Sequence, residues 1–290
     1  MKNLFYACSM LMLMIACKSE PKTVAAREVN QYTIEQFYAN TRFSGGVFSP
    51  DETKLVVNSD ESGIFNLYEI NIADGTKKQI TSSSVESYYV VDYVPGSNQL
   101  IYSADKGGNE INHLYLINED GTSTDLTPAE KEKSGFFKWV TDKKSMFYTS
   151  NKRDEKYFDV YKMGIADWKA SMFYENKDGL DVTDISDDEN MIALVKPVTS
   201  SENQLFMVNR QTGERKEISK PEQKGSYSSS GFSKDNKYLY YITDAGKEFA
   251  YLAQYDIVSG ESKILFETKW DVMYSYLSET EKYRVIGINE

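Results

Sequence analysis

Three serines in this 290-residue chain stand where a nucleophile elbow could be sought: "GTSTD" (121–125), "GFSKD" (231–235) and "GESKI" (260–264). The G-x-S-x-G pattern sets its serine on a sharp strand-to-helix turn, and all three stretches lack the closing small residue. A serine nucleophile also needs an imidazole to take its proton, and His113 is the only histidine. It stands at the start of an apolar run, "HLYLI", where a strand-edge hydrogen-bonding role is expected instead of catalysis. One histidine with Cys8 and Cys17 falls short of the usual zinc constellations, and no stretch clusters the oxygen ligands of a calcium loop. No catalytic residue, metal or cofactor is expected within this chain.

The net charge of −11 is spread without a basic stripe, which argues against a nucleic-acid partner and for a soluble acidic surface. The N-terminus reads differently from the rest. "MKNLFYACSMLMLMIACKSE" has one early lysine, an apolar run of about a dozen residues, then Ala16 and Cys17. That is a secretion leader, too short for a stable membrane span. Its end, "MIAC", resembles a bacterial lipobox, in which cleavage before the cysteine exposes it for lipid attachment. The expectation is a leader at 1–16, lipid on Cys17, a polar tether at 17–31 and a place in the cell envelope, in the periplasm or at the outer membrane. Cys8 leaves with such a leader, so the mature chain has no disulfide.

The elements that must carry any chemistry announce themselves by period. "VFSPDETKLVV" (47–57) returns as "DYVPGSNQLIY" (92–102), "KWVTDKKSMFY" (138–148), "DISDDENMIAL" (184–194), "GFSKDNKYLYY" (231–241) and "YLSETEKYRVI" (276–286). The anchors Phe48, Tyr93, Trp139, Ile185, Phe232 and Leu277 are spaced by 45, 46, 46, 47 and 45 residues. Each unit reads strand, polar turn, strand, loop, strand, Gly-containing turn, short strand. Four short strands in a fixed period are the signature of β-propeller blades, whereas a β-sandwich has no reason to repeat at one length. The expectation is all-β: blades at 45–82, 88–128, 134–176, 180–220 and 227–267, and a partial one at 270–290. The propeller at 45–290 is thus incomplete and the chain reads as a fragment, whose open strand at 283–288 invites a continuing frame. "YTIEQFYANTRF" (32–43) has helical spacing, with Thr33 and Gln36 as a capping box. The aromatics Tyr88, Tyr89, Phe136, Phe137, Tyr238, Tyr240 and Tyr241 are expected to pack between blades.

A helix opening "TIEQF", then "GGVFSPDETKLVV", then blades with an "SPD" turn and an "LT" close, resembles the prolyl oligopeptidase family. More narrowly it is similar to acylaminoacyl-peptidase-like and dipeptidyl-peptidase-like lipoproteins of Bacteroidetes-type bacteria. "SNKRDEKYFDVY" (150–161) and "SADKGGNEINHLYL" (103–116) share that look, and the resemblance runs over about residues 30 to 290. It implies TolB/WD-like blades forming a non-catalytic lid that screens peptides by size over an α/β-hydrolase domain. The serine, acid and histidine of that domain follow the propeller, so peptide hydrolysis would belong to a longer parent. Dipeptidyl peptidases of the family hold the substrate amine with paired propeller glutamates. Here acids recur in the loops between second and third strands, at Glu61, Glu110, Asp154 with Glu155, Glu202 and Glu248. "RDEKYF" is not the double-Glu motif, yet Asp154 and Glu155 are the candidates, against the plain reading of solvated turn residues. The alternative function is a self-standing TolB-like lipoprotein that binds protein partners. Residues 18–44 are too few for the N-terminal domain such a protein carries.

Overall fold

In the computed structural model, which describes residues 29–278 and 280–290, the repeated turn has one cause. The N–H one residue past each anchor bonds the carbonyl five residues on. The pairs are Ser49 to Lys54, Val94 to Gln99, Val140 to Ser145, Ser186 to Met191, Ser233 to Tyr238 and Ser278 to Tyr283, at 2.8–2.9 Å. Inside that loop a second N–H turns back, from Glu52 to the Ser49 carbonyl (2.8 Å) and from Glu189 to that of Ser186 (2.9 Å). Glu52, Lys143, Glu189, Asn236 and Glu281 take left-handed φ there, between 55° and 62°. Three turns are locked by a serine donating to an aspartate two residues on: Ser49 to Asp51 (2.6 Å), Ser186 to Asp188 (2.6 Å) and Ser233 to Asp235 (2.7 Å).

Each turn joins the first two strands of an antiparallel sheet whose strands lie in sequence order. The first sheet is β1 (Phe43–Phe48), β2 (Lys54–Ser59), β3 (Asn66–Asn71) and β4 (Lys77–Gln79). The second is β5 (Tyr89–Tyr93), β6 (Leu100–Ala104), β7 (His113–Ile117) and β8 (Ser123–Asp125). The third is β9 (Ser134–Trp139), β10 (Ser145–Asp154), β11 (Tyr157–Gly164) and β12 (Ala170–Tyr174). The fourth is β13 (Asp181–Ile185), β14 (Met191–Pro197), β15 (Asn203–Asn209) and β16 (Arg215–Glu217). The fifth is β17 (Tyr227–Phe232), β18 (Tyr238–Thr243), β19 (Tyr251–Asp256) and β20 (Ser262–Phe266). The sixth sheet has two strands, β21 (Asp271–Leu277) and β22 (Arg284–Asn289). These are propeller blades, five of four strands and a sixth of two, as the period predicts.

The side-chain period of two sends alternate residues of each central strand to opposite neighbours. On β10, Met146 and Tyr148 pack towards blade two, and Phe147 towards blade four. On β14, Ile192 and Leu194 meet blade three while Ala193 and Val195 meet blade five. The core is therefore a series of slabs, one between each pair of consecutive blades. Two-sided burial is why "MIALV" and "SMFY" read as continuous apolar runs without polar alternation. The sixth sheet packs Val272 and Ile286 on blade five and lays Arg284 over the Tyr240 ring at 4.0 Å. Of the expected packing aromatics, Tyr89 departs: it is exposed, its ring 5.4 Å from that of Phe65 at the end of the inner strand.

Every inner strand carries a β-bulge. Val90 pairs with Tyr102 and Asp92 with Ile101, so Val91 is an extra residue. The same count makes Phe137, Thr183, Ser230 and Met273 the extra residues of the next four inner strands. In β1 the place is taken by Gly45 and Gly46. Gly45 has φ +64°, and a Cβ there would lie 2.7 Å from the Asn58 side chain. Without it, Asn58 Oδ1 is free to accept the Val90 N–H of the next blade at 2.7 Å.

In blades two, three and four the residue after the bulge makes a polar blade-to-blade bond. Asp92 Oδ2 accepts the Trp139 Nε1–H at 2.9 Å. Lys138 Nζ donates to Asp184 Oδ1 (3.0 Å) and the Ile185 carbonyl (2.7 Å). Asp184 Oδ2 in turn accepts the Phe232 N–H at 2.8 Å, so one carboxylate joins blades three, four and five.

The helix is shorter than its apolar spacing predicts: α1 covers Ile34–Tyr38, not 32–43. Its capping box forms, with Gln36 N–H on Thr33 Oγ1 at 3.2 Å and Thr33 N–H on Gln36 Oε1 at 2.9 Å. Asn40 Nδ2 donates to the Phe37 carbonyl at 3.1 Å and closes the other end. The chain divides into units at 1–40 and 41–290, and β1 then begins at Phe43, two residues ahead of the expected start, because Phe43 pairs with Ser59. Residues 1–28, with the leader and Cys17, lie outside the described residues. Among the described residues no helix is long and apolar enough to cross a membrane.

Asp184→Ala strands the Phe232 N–H and leaves the Lys138 ammonium only the Ile185 carbonyl. We expect it to cost about 1–3 kcal/mol, read as a lower urea midpoint at unchanged slope. The exposed neighbour Asp181→Ala should stay within about 0.5 kcal/mol. Equal effects of the two would remove the bridging role.

Candidate functional site

The loops between second and third strands hold the acids singled out by sequence, and the structure sorts them. Asp60 is spent on the chain entering β1: Arg42 donates its N–H to Oδ1 and its Nε–H to Oδ2, both at 2.7 Å. The Arg42 backbone N–H first, then its guanidinium, hold the Asp60 carboxyl below the usual carboxylate range. Glu61 pairs with Lys77, and Glu202 lies 3.7 Å from Lys224 Nζ. Glu110, Asp154, Glu155 and Glu248 form no ion pair among the described residues.

Blade three reaches furthest, because β10 and β11 are its longest strands, at 10 and 8 residues. Asp154 ends β10 and pairs with Tyr157, leaving Glu155 and Lys156 as the turn. Asp154 Oδ1 accepts the Lys156 N–H at 2.9 Å, which fixes the turn. Glu155 is exposed beside it. The two candidates are thus neighbours on one tip, as the sequence places them.

What sequence reading did not find is the ion pair beneath that tip, buried at its carboxylate end. Asp159 is fully buried, and Arg153 grips it with Nε to Oδ2 at 2.8 Å and Nη2 to Oδ1 at 3.0 Å. The same Nη2 reaches the Asn176 carbonyl at 3.1 Å, and Asn176 N–H donates to Asp159 Oδ1 at 2.8 Å. Asn176 continues the chain of bonds, donating from Nδ2 to the Leu180 carbonyl at 2.6 Å. The hairpin tip is therefore pinned to the link between blades three and four. The Asp159 carboxylate raises the Arg153 guanidinium further above its ordinary value. A bidentate pair of this kind orients a tip but has no free edge for chemistry. Beside it opens a cavity of about 230 Å³ lined by Lys156, Phe158, Asn176, Gly179 and Asp181. The only available signal was the pattern R-x5-D, which is too common to stand out.

His113 opens β7, as expected, and is buried, with Nδ1 2.8 Å from Asp125 Oδ2. Asp125 Oδ1 accepts the Thr127 N–H at 3.0 Å. The pair is a His–Asp dyad without a serine, so the arrangement lacks a nucleophile for acyl transfer. Among the described residues no three His, Cys, Asp or Glu side chains converge to hold a metal ion.

Residues 9–168 match the dipeptidyl peptidase IV (DPP IV) N-terminal region, and the chain belongs to that family. It is 25% identical over 243 residues to dipeptidyl aminopeptidase BIII of Pseudoxanthomonas mexicana, covering 80% of this chain and 34% of that protein. The chain thus spans about a third of the length of the curated relative it matches. Among solved structures, a prolyl endopeptidase superposes with TM-score 0.61 at 14% identity, over 86% of this chain and 39% of the other. TolB from Acinetobacter baumannii superposes with TM-score 0.50 at 17% identity, over 76% and 53%. At these identities the structural likenesses establish the propeller fold. The propeller is thus similar to the N-terminal region of dipeptidyl peptidases, the part that the matched family describes.

Proposed function

We propose that this chain is the substrate-gating part of an exported serine peptidase and does no bond-breaking itself. Peptide hydrolysis in that reading belongs to an α/β-hydrolase domain of a longer polypeptide, and the propeller screens peptides on their way to it. The carrying observation is the family match to a peptidase's N-terminal region on a chain with no G-x-S-x-G and no serine–histidine pair. The TolB likeness supports the fold without favouring a self-standing binder, since at 17% identity it extends to no site.

Within this reading Asp154 and Glu155 receive the free amine of the peptide. Support comes from their shared tip, the lack of an ion pair at either carboxylate among the described residues, and the bonded mount below them. A peptide ammonium would find the Asp154 and Glu155 carboxylates side by side. Asp154→Ala with Glu155→Ala in the longer polypeptide should raise KM for peptides with a free N-terminus, with a smaller change for N-acetylated ones. Equal shifts for both classes would return the two residues to the solvated turn.

The envelope location rests on "MIAC" at the end of an apolar run, with Cys17 lipid-modified. Cys17→Ala should release soluble protein or accumulate uncleaved precursor. Unchanged membrane fractionation and processing in that variant would contradict a lipid anchor.

A further inference from the structure

We propose that Asp178 is a site of spontaneous covalent modification, where the aspartyl–glycyl bond rearranges through a succinimide to isoaspartate. The backbone nitrogen of Gly179 attacks Asp178 Cγ and a new N–C bond closes the ring. The carboxyl hydroxyl leaves with the amide proton as water. Water then adds to the former peptide carbonyl and breaks its bond to nitrogen, which opens the ring. The main chain now runs through the side-chain carbons, longer by one atom, and bears a free α-carboxylate.

Glycine follows aspartate at three places, Asp74–Gly75, Asp120–Gly121 and Asp178–Gly179, and the fold protects the first two. There the attacking nitrogen is engaged: Gly75 N–H donates to the Asn71 carbonyl and Gly121 N–H to that of Asn118, both at 2.9 Å. The carboxyl is engaged as well. Asp74 Oδ1 accepts the Thr76 N–H at 2.9 Å and its hydroxyl at 2.7 Å. Asp120 Oδ1 accepts the Thr122 N–H at 2.9 Å and its hydroxyl at 2.6 Å. These bonds, the N–H first at Asp74 and the hydroxyl first at Asp120, hold both carboxyls below the usual carboxylate range. Ring closure proceeds through the neutral acid, since a hydroxyl leaves and an oxide ion does not, so both positions are slowed at the leaving group too.

Asp178 has neither protection. Among the described residues the Gly179 N–H makes no hydrogen bond, and the carboxylate meets only the Arg215 guanidinium. That pair is open to water, its side chains 43% and 56% exposed, and restrains the carboxylate little. Gly179 sits at φ +65°, and a Cβ there would lie 2.9 Å from the Tyr157 ring. The fold therefore demands the one residue that leaves the attacking nitrogen uncrowded. The exposed stretch 177–179 is bracketed by a clamp: Asn176 Nδ2 donates to the Leu180 carbonyl at 2.6 Å, and Leu180 N–H to Asn176 Oδ1 at 3.2 Å. An extra backbone atom between these residues disturbs both bonds. Asn176 N–H also holds Asp159 at 2.8 Å, so rearrangement at Asp178 loosens the mount of the blade-three tip.

The test is to hold the full chain for weeks at mildly acidic pH and physiological temperature, then digest it. Isoaspartate is located by enzymatic methyl transfer to its α-carboxylate and by fragmentation of the labelled peptides. It should accumulate at Asp178 severalfold faster than at Asp74 or Asp120. In urea, where the turns are gone, the three rates should converge, because each aspartate precedes glycine. Asp178→Glu should remove the label from its peptide, and amide exchange at Asn176 and Leu180 should be faster in the modified fraction. No isoaspartate at Asp178, equal rates at the three positions of the folded chain, or the same ranking in urea would each overturn the assignment. Unchanged exchange at Asn176 and Leu180 would overturn the loosening of the mount.

Discussion

A sheet with two apolar faces has no side to turn to water, and blades two to five here are such sheets. Leu194 and Val195 are adjacent on β14 and both buried, one against blade three and one against blade five. Each large side chain so buried contributes about 1.5–3 kcal/mol, but only while the neighbouring blade is in place. Stability is then shared between neighbours, as in other repeat architectures, and a blade is not an independent unit. The polar bonds between blades follow from the same constraint. They align sheets that hydrophobic packing would otherwise leave free to slide.

That coupling gives the loop face its character. Arg153 and Asp159 tie the blade-three tip to Asn176 and Leu180 in the link to blade four, so the tip inherits the rigidity of two blades. The proposed gating role would need this, because recognition by a mobile loop would lose much of its binding free energy to ordering. The acids not spent on such ties, Glu155 among them, face outward. The division of labour is visible in the pairs: Asp60 and Asp159 position backbone, Glu61 pairs with the Lys77 side chain, and Asp154 holds its own turn.

The fold was legible because its repeat is written in residue types. Ser-x-Asp turns, left-handed positions and apolar runs recur at the spacing of the anchors, and the structure returns six copies of one turn. The helix start was legible too, since Thr33 and Gln36 form a reciprocal pair that local sequence specifies. Its end was not, because Asn40 closes it from a position that many turns share. The bulges could not be read at all: Val91, Phe137, Thr183, Ser230 and Met273 have no chemistry in common, and register alone defines them. Asp92, Lys138 and Asp184 stand at a fixed place in the period, but their partners are an indole, a carboxylate with a carbonyl, and a backbone N–H. Identity of position with diversity of partner hides such a bond from sequence. The candidates Asp154 and Glu155 were found by type, while the Arg153–Asp159 pair beneath them needed the hairpin to be folded.

The central claim is that this propeller admits peptides to a hydrolase by size. It is tested most directly by kcat/KM of the longer polypeptide for a peptide series of increasing length with one common N-terminal sequence. The account predicts a steep fall beyond short peptides, and no cleavage when the same sequence is the exposed terminus of a folded protein. Values that stay level with length, with folded substrates cut as readily as peptides, would contradict it.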